Sequence, residues 1–166
     1  LCGLGVLFCG ISLILSGFDF FKATSPIEYK EENMSYDASL FEKIQLTAQE
    51  QKITIRPSDD GRVHITYWES ENDLYTVNTE NGVLDFRHET KKKWLNGLLY
   101  GWFSGLSRQA TQGIQVSLPA DYTGELSAFD SNASLDIDGF SRLSGCHLTT
   151  SNGSVRANNV TAGEWT

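Results

Sequence analysis

The 166-residue chain is acidic, with 13 Lys and Arg against 21 Asp and Glu and a formal net charge of −8. This charge repels the phosphates of nucleic acid and disfavours a nucleic-acid partner. Hydrophobic residues make up 40% of the chain and aromatic residues 11%, which excludes global disorder, and three cysteines are too few for a disulfide framework.

The uncharged stretch 1–18 predicts a transmembrane helix over residues 1–21. At 1.5 Å per residue it spans about 27 Å, close to the hydrocarbon thickness of a bilayer. A cleaved signal peptide is the alternative, but the stretch leads into Phe18-Asp19-Phe20-Phe21 without a nearby small-x-small cleavage site. The following flank is poor in Lys and Arg, which mark the cytoplasmic side. We therefore expect a single-pass protein of the cell membrane, with the lipid bilayer as a partner and everything after Phe21 outside the cytoplasm.

Residues 22–40 contain Pro26 and many polar residues and are predicted to form a polar stalk. From Phe41 onward, apolar and polar residues alternate, which is typical of half-buried strands. Asn81-Gly82 predicts a tight hairpin turn between two such strands. The domain 41–166 is therefore predicted to begin with hairpin-like strands.

A basic and aromatic insertion over residues 91–106 interrupts this alternation. Its candidate contact residues are Lys91, Lys92, Lys93, Trp94, Leu98, Trp102 and Phe103. On a helix the apolar members share one face, and basic residues beside such a face suit the membrane interface. The alternative is a loop that caps an open end of the β-domain or covers a sheet edge.

A 20-residue repeat dominates the end of the chain. A shift of 20 positions places Ser131-Asn132-Ala133-Ser134-Leu135 on Ser151-Asn152-Gly153-Ser154-Val155. One unit cannot bury its own apolar face, so the units are predicted to stack as a parallel β-solenoid or β-roll. Two unrelated hairpins with similar turns are the alternative.

The stacked arrangement makes two further predictions. Its buried residues would be Leu126, Leu135, Ile137, Leu148 and Val155. Its repeat turns would contain Ser131, Asn132, Ser151, Asn152 and Gly153, and stacked Asn132 and Asn152 could form an amide ladder.

The search for catalytic and metal-binding patterns finds none that is specific. His64, His88 and His147 are scattered without metal-ligand spacing, and neither a phosphate loop nor a Gly-x-Ser-x-Gly motif occurs. We therefore predict no cofactor and no enzymatic activity. Cys146 takes an inward repeat position and is expected to be a buried, inert thiol.

A glycan-cleaving enzyme is the least favoured hypothesis. It would need a pair of carboxylates from Asp130, Asp136 and Asp138. Arg156 and Asn158 replace the last two in the next unit, so solvated turn residues explain these aspartates better.

The order of these motifs resembles the DUF4097 family, the "putative adhesin" proteins of bacterial envelopes, from about residue 41 to the end. The resemblance rests on the N-terminal span, Ile53-x-Ile55, Lys93-Trp94, Val116-Ser117-Leu118-Pro119 and the Ser-Asn-Gly-Ser-Val coils. It implies a single-stranded right-handed parallel β-solenoid held at the envelope, without established catalytic residues. The chain departs from the pattern at Ala133, where Gly is usual.

The predicted function is that of a non-enzymatic, membrane-anchored, extracytoplasmic domain with an adhesin-like or scaffold surface for an envelope protein or a glycan. An envelope-stress sensor that contacts lipid through residues 91–106 is the alternative. The sequence predicts no particular oligomeric state. Because it starts without Met and stops where a third repeat would begin, we expect a fragment truncated at both ends.

Overall fold

The computed structural model describes residues 28–71, 73–91 and 113–166. In these residues the chain forms ten β-strands and one short 3₁₀ turn. The elements are β1 (Lys30–Asp37), the 3₁₀ turn (Ala38–Leu40), β2 (Lys43–Ala48), β3 (Ile53–Ser58), β4 (Arg62–Glu69), β5 (Asp73–Glu80), β6 (Val83–Thr90), β7 (Ile114–Pro119), β8 (Glu125–Asp130), β9 (Leu135–Thr150) and β10 (Val155–Trp165). The prediction of an all-β domain is confirmed.

The strands form one curled sheet in the order β1-β4-β7-β3-β9-β8-β2-β6-β5, with β10 paired to β9. The long strand β9 joins its two halves, because residues 135–137 pair with β3 and residues 145–150 pair with β8. We call β1, β4, β7, β3 and the first part of β9 the back wall. The front wall consists of β5, β6, β2, β8 and the last part of β9.

Most of the strand pairs are parallel and the others are hairpin-like. β1 with β4, β4 with β7 and β5 with β6 are antiparallel, as the alternation after Phe41 suggested for the first half of the domain. The turn between β5 and β6 uses Asn81 and Gly82, with φ values of 52° and 74°. These positive φ values are those of a primed hairpin turn.

The two walls enclose a single hydrophobic core built from rows of side chains in register. On the front wall, Ile44 lies between Leu84 and Leu126, and Leu126 lies beside Cys146. All four side chains are completely buried. Because parallel strands in register place equivalent residues next to one another, each apolar side chain is covered by those on the neighbouring strands.

An aromatic cluster closes the curl at one end. Tyr67 of β4 lies 4.2 Å from Tyr75 of β5 and 5.5 Å from Phe86 of β6, measured between ring centroids. β4 lies near one end of the strand order, whereas β5 and β6 lie at the other. These contacts therefore bring the two walls together.

The strand register has the same offset as the sequence repeat. Leu126 pairs with Cys146 and Leu135 pairs with Val155, and both offsets are 20 residues (146 − 126 and 155 − 135). Beyond Val160, Ala162 pairs with Leu143, so the offset falls to 19 (162 − 143). The repeated turns therefore join strands that are stacked in space.

The stalk prediction for residues 22–40 does not hold over its last part. Lys30–Asp37 is a strand that pairs with β4 over eight residues, and Ala38 is buried. Met34 and Tyr36 pack against the core. Two apolar residues were too weak a signal in a polar sequence, although they alternate as a strand requires.

Val155 was predicted to be buried, and this prediction is wrong because the side chain is 45% exposed. It extends the row of Leu135, but within residues 28–71, 73–91 and 113–166 the strand β10 pairs only with β9. The other four predicted core residues lie in the core or against it.

The transmembrane helix predicted for residues 1–21 lies outside the described residues. Among the residues that the structure does describe, no helix has the length and hydrophobicity needed to cross a bilayer.

Leu135 and Val155 provide a matched test of the stacked core, because they are neighbours in one row. Leu135→Ala should lower the free energy of unfolding by about 2–5 kcal/mol, since the side chain is 1% exposed and leaves a cavity. Val155→Ala should cost less than about 1 kcal/mol. Urea denaturation of both variants measures the difference, and equal losses would contradict the assigned register.

Candidate binding face

The structure brings the two repeat turns together. The side-chain amide of Asn152 donates a hydrogen bond to Oδ1 of Asn132 at 2.9 Å. The backbone N–H of Asn152 donates to the carbonyl of Ser131 at 3.1 Å, and that of Ser151 donates to the carbonyl of Asp130 at 3.2 Å. This is the arrangement expected of an amide ladder.

Close stacking of the turns explains why one of them contains glycine. A Cβ atom on Gly153 would lie 1.8 Å from the carbonyl oxygen of Ala133. The backbone of the neighbouring turn therefore occupies the space that a side chain would need, and a glycine is required at position 153.

Asp130 is completely buried, so its prediction as a solvated turn residue is wrong. Its Oδ1 accepts hydrogen bonds from the backbone N–H groups of Asn132, at 2.7 Å, and of Ala133. Its Oδ2 accepts one from the N–H of Gln51 at 3.4 Å. An aspartate two residues before an Asn in a turn is typical of side-chain capping of that turn, and this signal in the sequence was missed.

The other two aspartates also have structural partners. Asp136 lies 3.1 Å from a guanidinium nitrogen of Arg56 on β3, and its side chain is 12% exposed. Asp138 accepts a hydrogen bond from the Asn159 side chain at 2.9 Å. Each of the three carboxylates is therefore used in a different contact.

A buried polar pair lies beside the aromatic cluster. His88 Nε2 lies 2.8 Å from Asp73 Oδ1, and the backbone N–H of Gln49 donates to His88 Nδ1 at 3.4 Å. Because Nδ1 accepts a hydrogen bond, the ring proton must be on Nε2, and His88 donates to the Asp73 carboxylate. His88 alternates with the buried Leu84 and Phe86 on β6, and this alternation is the signal in the sequence for an inward histidine.

Hydrogen bonds control the ionisation of Asp73. Burial by itself would raise the pKa of its carboxyl group, but hydrogen bonds from His88 and Ser70 outweigh burial and hold the pKa below its ordinary value. The Ser70 hydroxyl donates to Asp73 Oδ2 at 2.5 Å. Asp73 thus ties the loop after β4 to β6.

Two rows of outward side chains cross β6, β2, β8 and β9 on the outer face of the front wall. Lys43 and Glu125 lie in a further row, and on β5 the outward residues are Leu74, Thr76 and Asn78, of which Leu74 is 45% exposed. The upper row contains Asp85, Gln45, Ser127 and His147, and the lower row contains Arg87, Thr47, Phe129 and Thr149. Adjacent members of a row are about 4.8 Å apart, which is the spacing of hydrogen-bonded strands. Phe129 is 36% exposed and is the only large apolar residue in these two rows.

Several polar groups on this face are available to a ligand. Within the described part of the chain, the side chains of Gln45, Thr47, Ser127 and Thr149 make no hydrogen bond. Asp85 Oδ1 is buried and has no hydrogen-bond partner among the same residues. Asp136 Oδ1 on the back wall is buried in the same way, so this feature does not distinguish the two walls. The four unbonded side chains are the groups that this face offers to a ligand.

The outer face of the back wall is different, because many of its polar side chains bond to one another. The Thr66 hydroxyl donates to Asn33 at 2.6 Å, and Arg62 Nε donates to the Ser35 hydroxyl at 2.7 Å. Arg56 pairs with Asp136. We therefore take the front wall as the candidate binding face.

The candidate contact residues of the insertion cannot be placed on either wall. Lys91 is exposed, and its ammonium lies 3.5 Å from the carbonyl oxygen of Glu71. The remaining ones, Lys92, Lys93, Trp94, Leu98, Trp102 and Phe103, lie outside the described residues. Lipid contact through this segment stays a prediction.

Comparison with known families decides the classification. The family model described as Toastrack DUF4097 matches residues 41–166, which is most of the chain. The chain belongs to the DUF4097 family. The resemblance drawn from the order of its sequence motifs is thereby confirmed. A search of curated proteins gives no match.

One solved structure supports the fold of this DUF4097 domain. A "putative cell adhesion protein" from Clostridium sporogenes is similar with a TM-score of 0.50 and 15% identity, over 80% of this chain and 62% of that one. A "putative adhesin" from Bacteroides fragilis has a TM-score of 0.40 and 13% identity, over 76% of this chain and 61% of that one. The DUF4097 chain thus spans about six-tenths of the length of these proteins.

Cys146 in the core has the environment of a structural thiol. Its side chain is completely buried in the row of Leu126 and Ile44, and burial raises its pKa to about 11. A thiol with a raised pKa is protonated at neutral pH and is a poor nucleophile.

The lowered pKa of Asp73 predicts how the stability of the DUF4097 domain depends on pH. Its pKa is lowered in the folded state, so its contribution is present above the ordinary value of about 4 and is lost as the pH falls through the lower, folded value. Asp73→Asn should be less stable than the wild type at pH 6. Its free energy of unfolding should then decline less steeply below about pH 4.

Urea denaturation between pH 6 and pH 2.5 measures both effects. Asp121→Asn is the matched control, because Asp121 is exposed, and it should keep the slope of the wild type. Parallel curves for the wild type and Asp73→Asn would contradict a stabilising role of the buried carboxylate.

Proposed function

We propose that this DUF4097 protein is a non-enzymatic, membrane-anchored binding domain that acts outside the cytoplasm in an adhesin-like manner. The observation that supports this proposal is the front wall, whose outward Gln45, Thr47, Ser127 and Thr149 side chains make no hydrogen bond within the described residues while its inward side is packed into the core. Such a face is already ordered before it meets a ligand. Binding therefore costs little conformational entropy, which favours recognition by a rigid surface.

We also propose a handedness for the stacked strands. The stacked parallel strands would form a right-handed coil, because connections between parallel strands in one sheet are right-handed in the great majority of proteins. Residues 1–21 would cross the membrane and residues 22–29 would link them to β1. Lys and Arg are scarce in the flank that follows, which favours an extracytoplasmic position for the β-domain.

The adhesive role of this chain is proposed, and a structural neighbour with a related description is in keeping with it. The description of the Clostridium sporogenes protein as a cell adhesion protein applies to that protein, and the similarity to it concerns the fold. We extend the adhesive role to this chain because the front wall provides a surface suited to binding.

Membrane topology can be tested with a C-terminal epitope tag on the full chain in a bacterial host. In spheroplasts, added protease should remove the tag while a cytoplasmic marker survives. Deletion of residues 1–21 removes the anchor, so the tag should then be protected and found in the soluble fraction. A protected tag on the full chain would contradict the proposed orientation.

Adhesion can be tested with beads that carry the purified full chain. Such beads should be retained on intact cells at least several-fold more than beads carrying Leu135→Ala, because the front wall requires a packed core behind it. Retention that is equal for both, or absent for both, would refute the adhesin-like function.

A further inference from the structure

We infer that the outer face of the front wall binds a neutral saccharide, with Phe129 as the platform on which a sugar ring stacks. This inference rests on the proposed binding function and deepens it by naming the ligand class and the residue at its centre.

Phe129 occupies an unusual position for an aromatic residue. It lies at an outward position of β8, where the other outward residues are Glu125 and Ser127. Its neighbours in the lower row are Thr47 and Thr149. An exposed aromatic ring with small neighbours on both sides can be reached by a flat ligand, and the electron-rich ring face attracts the C–H groups of a sugar.

Hydrogen-bonding groups surround this ring on the side of the upper row. Ser127 is two residues from Phe129 on the same strand, and Gln45 is next to Ser127 on β2. Hydroxyl and amide groups both donate and accept hydrogen bonds, as sugar hydroxyls do. The exposed Asn78 of β5, which pairs with Asp85, extends the upper row with another side-chain amide.

The charges on this face favour a neutral ligand. Arg87 donates to Asp85 Oδ2 at 2.9 Å, and Lys43 lies 2.7 Å from Glu125, so both cations are neutralised within the wall. The whole chain carries a net charge of −8, which repels anions. An anionic lipid surface or polyanion would therefore find no free cation in these two rows.

A protein partner fits the face less well. Protein interfaces usually bury about 800 Å² on each side and depend on clusters of large aromatic or basic side chains. The exposed large apolar residues on this face are Phe129 on β8 and Leu74 on β5, three strands apart, and Arg87 is already paired. One stacking residue among small polar groups is better matched to a sugar ring.

The test uses the full chain on an array of immobilised neutral oligosaccharides built from hexoses and N-acetylhexosamines. Phe129→Ala should weaken binding about tenfold or more, because the stacking platform is lost. Phe129→Trp keeps an aromatic face and should bind within about threefold of the wild type. Thr47→Val with Thr149→Val preserves the shape but removes two hydroxyls, and should weaken binding about fivefold.

Leu40→Ala is the matched control, because Leu40 is 64% exposed but lies in the 3₁₀ turn and not on the front wall. It should bind as the wild type does. Urea denaturation of Phe129→Ala should give a midpoint close to that of the wild type. If Phe129→Ala is destabilised, the double variant of Thr47 and Thr149 tests the face independently.

The outcomes separate this inference from the proposed function. Binding that is lost in Phe129→Ala and kept in Phe129→Trp and Leu40→Ala supports the inference. Glycan binding that Phe129→Ala does not change overturns the site. Bead adhesion to cells without binding to any neutral glycan overturns the ligand class and points to a protein partner, while the adhesin-like function stands. Beads that do not adhere to cells refute the function itself.

Discussion

Register between parallel strands is the constraint on which the rest of this structure depends. Ile53, Leu135 and Val155 occupy equivalent positions on neighbouring strands, as do Ile44, Leu126 and Cys146 on the other wall. A slip of one residue would turn every one of these side chains to the opposite face of the sheet. The same register fixes the outer rows, so the position of Phe129 between two threonines follows from the packing of the core beneath it.

Buried polar groups stabilise this register by fixing the turns and loops at the ends of the strands. Asp130 holds a turn by accepting backbone N–H groups, and Asp73 holds the loop after β4 through His88 and Ser70. Neither carboxylate is in contact with solvent to any large extent. Their hydrogen bonds compensate the cost of burial and, because they are directional, they fix the turns that the hydrophobic core alone would leave free.

Much of the fold could be predicted from the sequence because it follows from local periodicity, namely the alternation of apolar and polar residues and the 20-residue repeat. The 20-residue repeat predicts the register of β8, β9 and β10, and Asn81-Gly82 predicts the hairpin between β5 and β6. Other features depend on contacts between distant parts of the chain. β1 has only two apolar residues and is held by β4, and the N–H group of Gln49 meets His88 only after β2 has paired with β6. The candidate face was missed because Phe129 looked like an ordinary strand residue until its neighbours on β2 and β9 were known.

The change in offset from 20 to 19 residues after Val160 has a geometric consequence. Between Phe140 and Leu143 the strand β9 advances three residues, whereas β10 advances two between Val160 and Ala162. Over this interval β10 is thus shorter than β9 by one residue, or about 3.3 Å of strand. Ile137, Phe140 and Leu143 pair with the smaller Ala157, Val160 and Ala162, whereas Cys146 pairs with the larger Trp165. β10 therefore matches the shape of β9 only in part, which leaves apolar surface uncovered at both of its ends, on Val155 and on Trp165.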